Sequence, residues 1–225
     1  MSNIENFCNS IVESKRLDIL SESSNDPMYE IIKFCKRLAQ FQYICVDKNK
    51  NILRNSRENF DKHVTLNAAE FVKYYGGICY DYVNYEATKF PMFGVKFKTF
   101  FNGYYKDGVP DSTHTYLLFY LNDKVYWFEC SWKSHMGIYE FDSEDNALSY
   151  ILKLQKGNLD ESVVEYKPNS SITGITVKEF INNMATKPEY KFKYNKDIRT
   201  KMIYKVEVNY DGKRLNVTDR VYYNR

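Results

Sequence analysis

The sequence predicts an α+β fold in which helices come first and an antiparallel sheet follows. Three observations predict it. Apolar residues recur at helical spacing between Pro27 and Phe90, alternating stretches begin at Gly94, and Asn122-Asp123 separates two such stretches as a tight hairpin turn.

The elements follow in chain order. Asn25-Asp26-Pro27 is a helix start, and Ile31, Ile32, Cys35 and Leu38 carry a helix over roughly 27–42. The stretch 46–62 is polar and without a period, so it reads as loop. Ala68, Phe71, Val72 and Tyr75 mark a second helix, interrupted by Gly76-Gly77. Helical spacing resumes from Ile78 and ends at Pro91. Val95, Phe97, Thr99 and Phe101 alternate with Lys96 and Lys98 as a strand. A loop is expected over 102–112, where Gly103, Gly108 and Pro110 fall. Strands then run from His114 to Leu121 and from Lys124 to Cys130. Asp142 or Ser143 caps a helix through Leu154, with Gly157 as its stop. Residues 158–172 read as loop. Thr176 and Glu179 form a capping box for a helix to about Ala185. A last hairpin turns at Asp211-Gly212. The one boundary falls near 158–172. It divides the chain into a core over 1–157 that includes an N-terminal helical extension, and a C-terminal helix and hairpin over 158–225.

Bulk properties narrow the class. A net charge of +3 does not by itself imply nucleic acid, and no apolar run is long enough for a membrane span. Residues 1–10 carry Glu5 and no apolar core, unlike a secretory signal. Five irregularly spaced cysteines suit free thiols in a reducing, cytoplasmic compartment better than a disulfide framework. With 21 Tyr and 15 Phe, the chain fits either a core with wet edges or an aromatic contact surface. From residue 187 onward, eleven Lys and Arg stand against five Asp and Glu. A solvated sheet face or a protein contact surface explains that excess better than nucleic acid does.

Chemistry concentrates at Cys79. A nucleophilic thiol needs help to ionise, and both a helix N-terminus and a nearby His provide it. Cys79 sits at the start of a helix, one residue after two glycines, where the free N–H groups can also face an oxyanion. If Asn122-Asp123 is a two-residue loop, Glu129 opposes Tyr116, and His114 lies diagonal to Glu129 on the same face. Glu129 can then orient the His114 ring toward Cys79. The remaining cysteines, Cys8, Cys35, Cys45 and Cys130, read as small buried hydrophobes. A zinc site from Cys79, His114, Cys130 and His135 lacks the paired spacing that such sites use. His135 is at most a cleft-rim residue. Tyr74, Asn67 and Asn55 are the side chains considered as oxyanion donors.

Gly76-Gly77-Ile78-Cys79-Tyr80-Asp81-Tyr82, then Thr113-His114-Thr115, then Trp127-Phe128-Glu129 resembles the transglutaminase-like superfamily. The run from His114 to Trp132, followed by Gly137-Ile138-Tyr139-Glu140-Phe141, is similar to small members from low-GC bacteria and their phages. The resemblance spans roughly 60–155. It implies a papain-type core with the nucleophile at a helix N-terminus packed on an antiparallel sheet. It also implies a Cys79-His114-Glu129 triad, a protein or peptide substrate, and no metal or organic cofactor. Glu129 stands where the family usually has Asp. The expected activity is that of a peptidase or isopeptidase, with cross-linking transglutaminase or acyltransferase chemistry as the alternative. A non-catalytic assembly protein of the same fold, in the cytoplasm or in a phage particle, is the reading from another class. Its aromatic and basic surface would be the contact.

Overall fold

A computed structural model describes residues 26–53, 56–106, 109–155, 162–210 and 215–223. Helices lie on both faces of one antiparallel sheet, so the chain is α+β. The helices are α1 (Pro27–Leu38), α2 (Ser56–Asn59), α3 (Ala68–Tyr74), α4 (Cys79–Lys89), α5 (Glu144–Leu154) and α6 (Val177–Ala185). Three short strands precede α3, namely β1 (Gln42–Tyr43), β2 (Cys45–Val46) and β3 (Ile52–Leu53), and β4 (Gly76–Gly77) follows it. The main sheet comprises β5 (Lys96–Lys106), β6 (Val109–Leu121), β7 (Lys124–Glu129), β8 (Gly137–Phe141), β9 (Ser162–Tyr166), β10 (Lys201–Tyr210) and β11 (Leu215–Val221). Its order is β11-β10-β8-β7-β6-β5-β9.

Alternation along the strands divides the core. On β6, Leu117 and Phe119 pack with α1 and with Tyr82 of α4, while Tyr116 and Leu118 face Ala147, Leu148 and Ile151 of α5. A third cluster joins Cys79 and Tyr80 to Phe101, Val164, Tyr166 and Phe180. The hairpin register is the expected one. Leu121 pairs with Lys124, and both turn residues are left-handed, with φ of 51° at Asn122 and 58° at Asp123.

Caps fall where the sequence placed them. Asp26 accepts from the Met28 N–H at 2.9 Å, Ser143 from the Asn146 N–H at 3.2 Å, and Thr176 and Glu179 cap α6 reciprocally. No helix of the described residues is long and apolar enough to cross a membrane.

Four expectations are corrected. The first helix ends at Leu38 rather than near 42, because Gln42 and Tyr43 are drawn into parallel pairing with Gly76 and Gly77. The loop expected over 102–112 is strand on both sides of residues 107–108. Pro110 is tolerated because the β5–β6 register shifts there, between Tyr104 and Tyr105. The polar stretch 46–62 contains β3, α2 and a 3₁₀ turn at Phe60–Lys62. Likewise 158–172 contains β9, an edge strand on β5. The expected positions of Cys8, Gly108, Gly157 and the Asp211-Gly212 turn lie outside the described residues.

Candidate active site

Cys79 is the first residue of α4, and its placement is built by Asp81. One Asp81 oxygen accepts the Ile78 N–H at 2.8 Å, capping the helix, and the other accepts the Leu66 N–H at 2.6 Å. His63 Nδ1 accepts the Val46 N–H at 2.9 Å, so its proton is on Nε2. That nitrogen lies 2.9 Å from Asp81 Oδ2, yet too far out of line to count as a full hydrogen bond. Both side chains are fully buried. The contact is a close electrostatic one that ties two loops to the start of α4.

The glycines before Cys79 have separate reasons. A Cβ on Gly77 would sit 2.5 Å from Asp81 Oδ2, inside the cap. A Cβ on Gly76 would sit 2.0 Å from the Gln42 carbonyl oxygen. Gly76→Ala should therefore push β1 off β4 and cost about 1–3 kcal/mol, read as a lower urea midpoint at constant slope.

His114 and Glu129 meet through the uneven lengths of β6 and β7. The two strands pair only as far as Leu117 with Phe128, so from Tyr116 back to Thr113 β6 is paired with β5 on one edge and has no β7 partner on the other. The start of α4 comes against this stretch, and the Tyr80 hydroxyl lies 2.7 Å from Thr113 Oγ1. His114 Nε2 is 2.7 Å from Glu129 Oε2. The Cys79 side chain lies close enough to the ring to raise its proton affinity, and with Nε2 held by Glu129 the ring nitrogen left for the sulfur is Nδ1. Glu129 Oε1 accepts from the Ser131 N–H and the Trp132 N–H at 2.7 Å and from the Ser131 hydroxyl at 2.9 Å. All three site residues named from the sequence thus come together, and each is under 9% exposed.

The electrostatics follow. Burial alone would lower the proton affinity of His114, but the charge of Glu129 and the bonds to Cys79 and Glu129 outweigh it, raising its pKa to about 10. Burial would raise Glu129, and the His114 charge and the four donors hold it below the usual carboxylate range instead. A group bound more tightly to its proton when folded stabilises the fold below its unfolded pKa, here 6.5, and loses that contribution as pH rises through the folded value. The wild type should therefore lose melting temperature between pH 6.5 and about 10, a decline that His114→Gln should lack.

The hydroxyl at the sulfur belongs to a residue that local sequence did not flag. Tyr43 is brought to Cys79 by the β1–β4 pairing, and its hydroxyl lies near enough to the Cys79 N–H and sulfur for both to act on its proton. Tyr43 as a whole is 41% exposed, while its hydroxyl is enclosed. Burial first, and the Cys79 sulfur second, push its pKa well above the usual value, so it keeps its proton. None of the three expected donors fills this place. Asn67 is spent capping α3, accepting the Glu70 N–H at 2.9 Å; Tyr74 packs against the α1 core; Asn55 lies outside the described residues. The only signal for Tyr43 is tertiary: a parallel pair formed across more than thirty residues of chain.

Trp132 closes the far side, its ring edge-on to His114 at 5.2 Å and to His135 at 4.5 Å. His135 thus lies one ring removed from the site, and burial lowers its pKa. Cys130 faces the other core, its sulfur 3.4 Å from that of Cys35 and away from His114. Comparisons with protein-family models, with curated proteins and with solved structures find no match for this chain.

Proposed function

We propose that the chain is a cysteine acyl-transfer enzyme that cleaves amide bonds of a protein or peptide, as a peptidase or isopeptidase. The observation that carries this is the buried Glu129–His114 hydrogen bond, with the ring beside the Cys79 side chain at a helix N-terminus. The sulfur attacks the carbonyl, forming a C–S bond. The carbonyl oxygen becomes an oxyanion beside the Cys79 N–H and the Tyr43 hydroxyl. The His114 imidazolium then gives its Nδ1 proton to the leaving amine as the C–N bond breaks. Water, deprotonated by His114, releases the acid and restores the thiol. Glu129 holds the ring by Nε2 throughout and offsets its charge. A helix-borne cysteine on an antiparallel sheet, with His and acid on adjacent strands, supports a papain-type core like that of the transglutaminase-like superfamily. Nothing in the proposed steps calls for a metal or an organic cofactor.

The test is site-resolved labelling of the native wild type with limiting iodoacetamide at mildly acidic pH, followed by peptide mapping. Cys79 should take the label far ahead of Cys8, Cys35, Cys45 and Cys130. Equal, slow labelling of every thiol would end the enzyme reading. That result would favour a binding protein of the same fold, a reading that draws on the 3% exposure of Cys79. With a peptide pool, new N-termini identify hydrolysis, whereas lysine adducts identify transamidation.

A further inference from the structure

Two sulfurs that take no part in the steps above are in contact. Cys35 lies on the inward face of α1 with Ile31, Ile32 and Leu38, and Cys130 directly follows the last residue of β7. Both are buried, and both are free thiols. Their sulfurs are 3.4 Å apart, and Cys130 Sγ also lies 3.8 Å from the Cys35 carbonyl oxygen. The fold thus brings together two thiols that are 95 positions apart in the chain. An S–S bond is ~2.0 Å long, so the two would have to close by about 1.4 Å, within the swing of two Cα–Cβ torsions. The surroundings are apolar, since both residues belong to the cluster that α1 forms with Phe34, Phe128 and Tyr204. Burial first, and the Cys35 thiol beside it second, hold the Cys130 proton well above the usual thiol range. In the closed fold the pair is therefore inert, because the thiolate is the reacting form. Reaction requires an opening that lets a reagent reach one of the two sulfurs.

We propose that Cys35 and Cys130 are a disulfide site, oxidised by a small-molecule disulfide such as glutathione disulfide when the fold opens transiently. The inference goes beyond the acyl-transfer reading and does not depend on it. One cysteine thiolate attacks glutathione disulfide, forming a mixed disulfide, and one glutathione thiolate leaves. The second cysteine thiolate attacks the protein sulfur of that mixed disulfide. The Cys35–Cys130 bond forms, and the second glutathione thiolate leaves. The two cysteines lose two electrons, glutathione disulfide gains them, and the two thiol protons end on the two glutathione thiols. Exchange is reversible, so the bond collects where closing of the fold presses two sulfurs together. The closed loop runs from α1 to the end of β7 and contains Cys79, His114 and Glu129. A crosslink over so long a stretch removes much of the freedom of the unfolded chain.

The test is incubation of the full chain with glutathione disulfide in urea below the unfolding transition, where transient openings expose buried thiols. Remaining thiols are then blocked, the urea is removed, and tryptic peptides are mapped without reduction. Peptide 34–36, which carries Cys35, should be joined to peptide 125–133, which carries Cys130, as the dominant disulfide. The oxidised protein should melt about 5–15 °C above the same sample treated with dithiothreitol. Cys35→Ala and Cys130→Ala should each lack both the bond and the difference in melting temperature. A dominant bond between another pair, such as Cys45 and Cys79, would overturn the proposal. So would glutathione left on Cys35 or Cys130, thiols that stay reduced, or a melting temperature that does not rise on oxidation. Should either variant not fold, the peptide map and melting temperature of the wild type decide. None of these readouts requires turnover, so failure of the acyl-transfer reading leaves the test intact.

Discussion

Replacing Glu129 by Gln should move the alkaline limit of Cys79 labelling by iodoacetate down from about pH 10 toward 6.5, and replacing His114 by Ala should abolish that limit. Iodoacetate carries a negative charge, so an imidazolium beside the sulfur draws it in, and deprotonation of that ring removes the attraction. Glu129 is the largest influence keeping the ring protonated against burial. Gln retains an acceptor near Nε2 but not the charge, so His114 should titrate earlier. Neutral iodoacetamide is the control, because it has no charge for the ring to attract. In His114→Ala the labelling advantage of Cys79 itself should fall by about 10²- to 10⁴-fold, the usual worth of a positioned acid–base partner. An unchanged iodoacetate profile in Glu129→Gln would mean that Glu129 does not govern His114. Preferential Cys79 labelling retained in His114→Ala would remove His114 from the mechanism. The burial of the pair makes these effects large, since exposed ion pairs are worth little.

What could be read in the sequence was what is local. Asp26, Ser143 and Thr176 with Glu179 announce helix starts through hydrogen bonds that span two or three residues. Asn122-Asp123 fixes the β6–β7 register, because both residues accept the left-handed conformation such a turn requires. That register is why the sequence alone puts His114 and Glu129 on one face. The extension of β5 beyond Phe101 and of β6 ahead of His114 escaped because Gly103 and Pro110 signal loop locally, whereas pairing along eleven positions of each strand outweighs them. β9 has only five residues and owes its state to β5 alone. Tyr43 and His63 were not legible as site residues. Tyr43 sits in a two-residue strand with no pattern, and His63 is a lone histidine whose partner is eighteen positions away.

Replacing Tyr43 by Phe should have opposite effects on two reactions of the same sulfur. In acyl transfer the carbonyl oxygen gains charge, and the Tyr43 hydroxyl lies beside the Cys79 N–H where that charge would be held. Loss of one such donor costs about 10²- to 10³-fold in kcat, so the acylation burst with p-nitrophenyl acetate should slow by that factor with little change in KM. Alkylation by iodoacetamide forms no oxyanion. There the hydroxyl acts only as a hydrogen-bond donor to the sulfur, which makes the anion less nucleophilic. Its removal should leave the rate unchanged or raise it. The substitution keeps the ring, and Tyr43 as a whole is already 41% exposed, so the fold should be undisturbed. A structural explanation predicts that both reactions slow together, and Tyr43→Ala supplies that comparison because it also removes the ring from β1. If Tyr43→Phe slows both probes equally, Tyr43 is a support for the Cys79 loop. If it slows only the ester, the two-residue pairing of Gln42–Tyr43 with Gly76–Gly77 is what completes the site, and the Gly76 position, closed to any Cβ by the Gln42 carbonyl, is the joint that holds it.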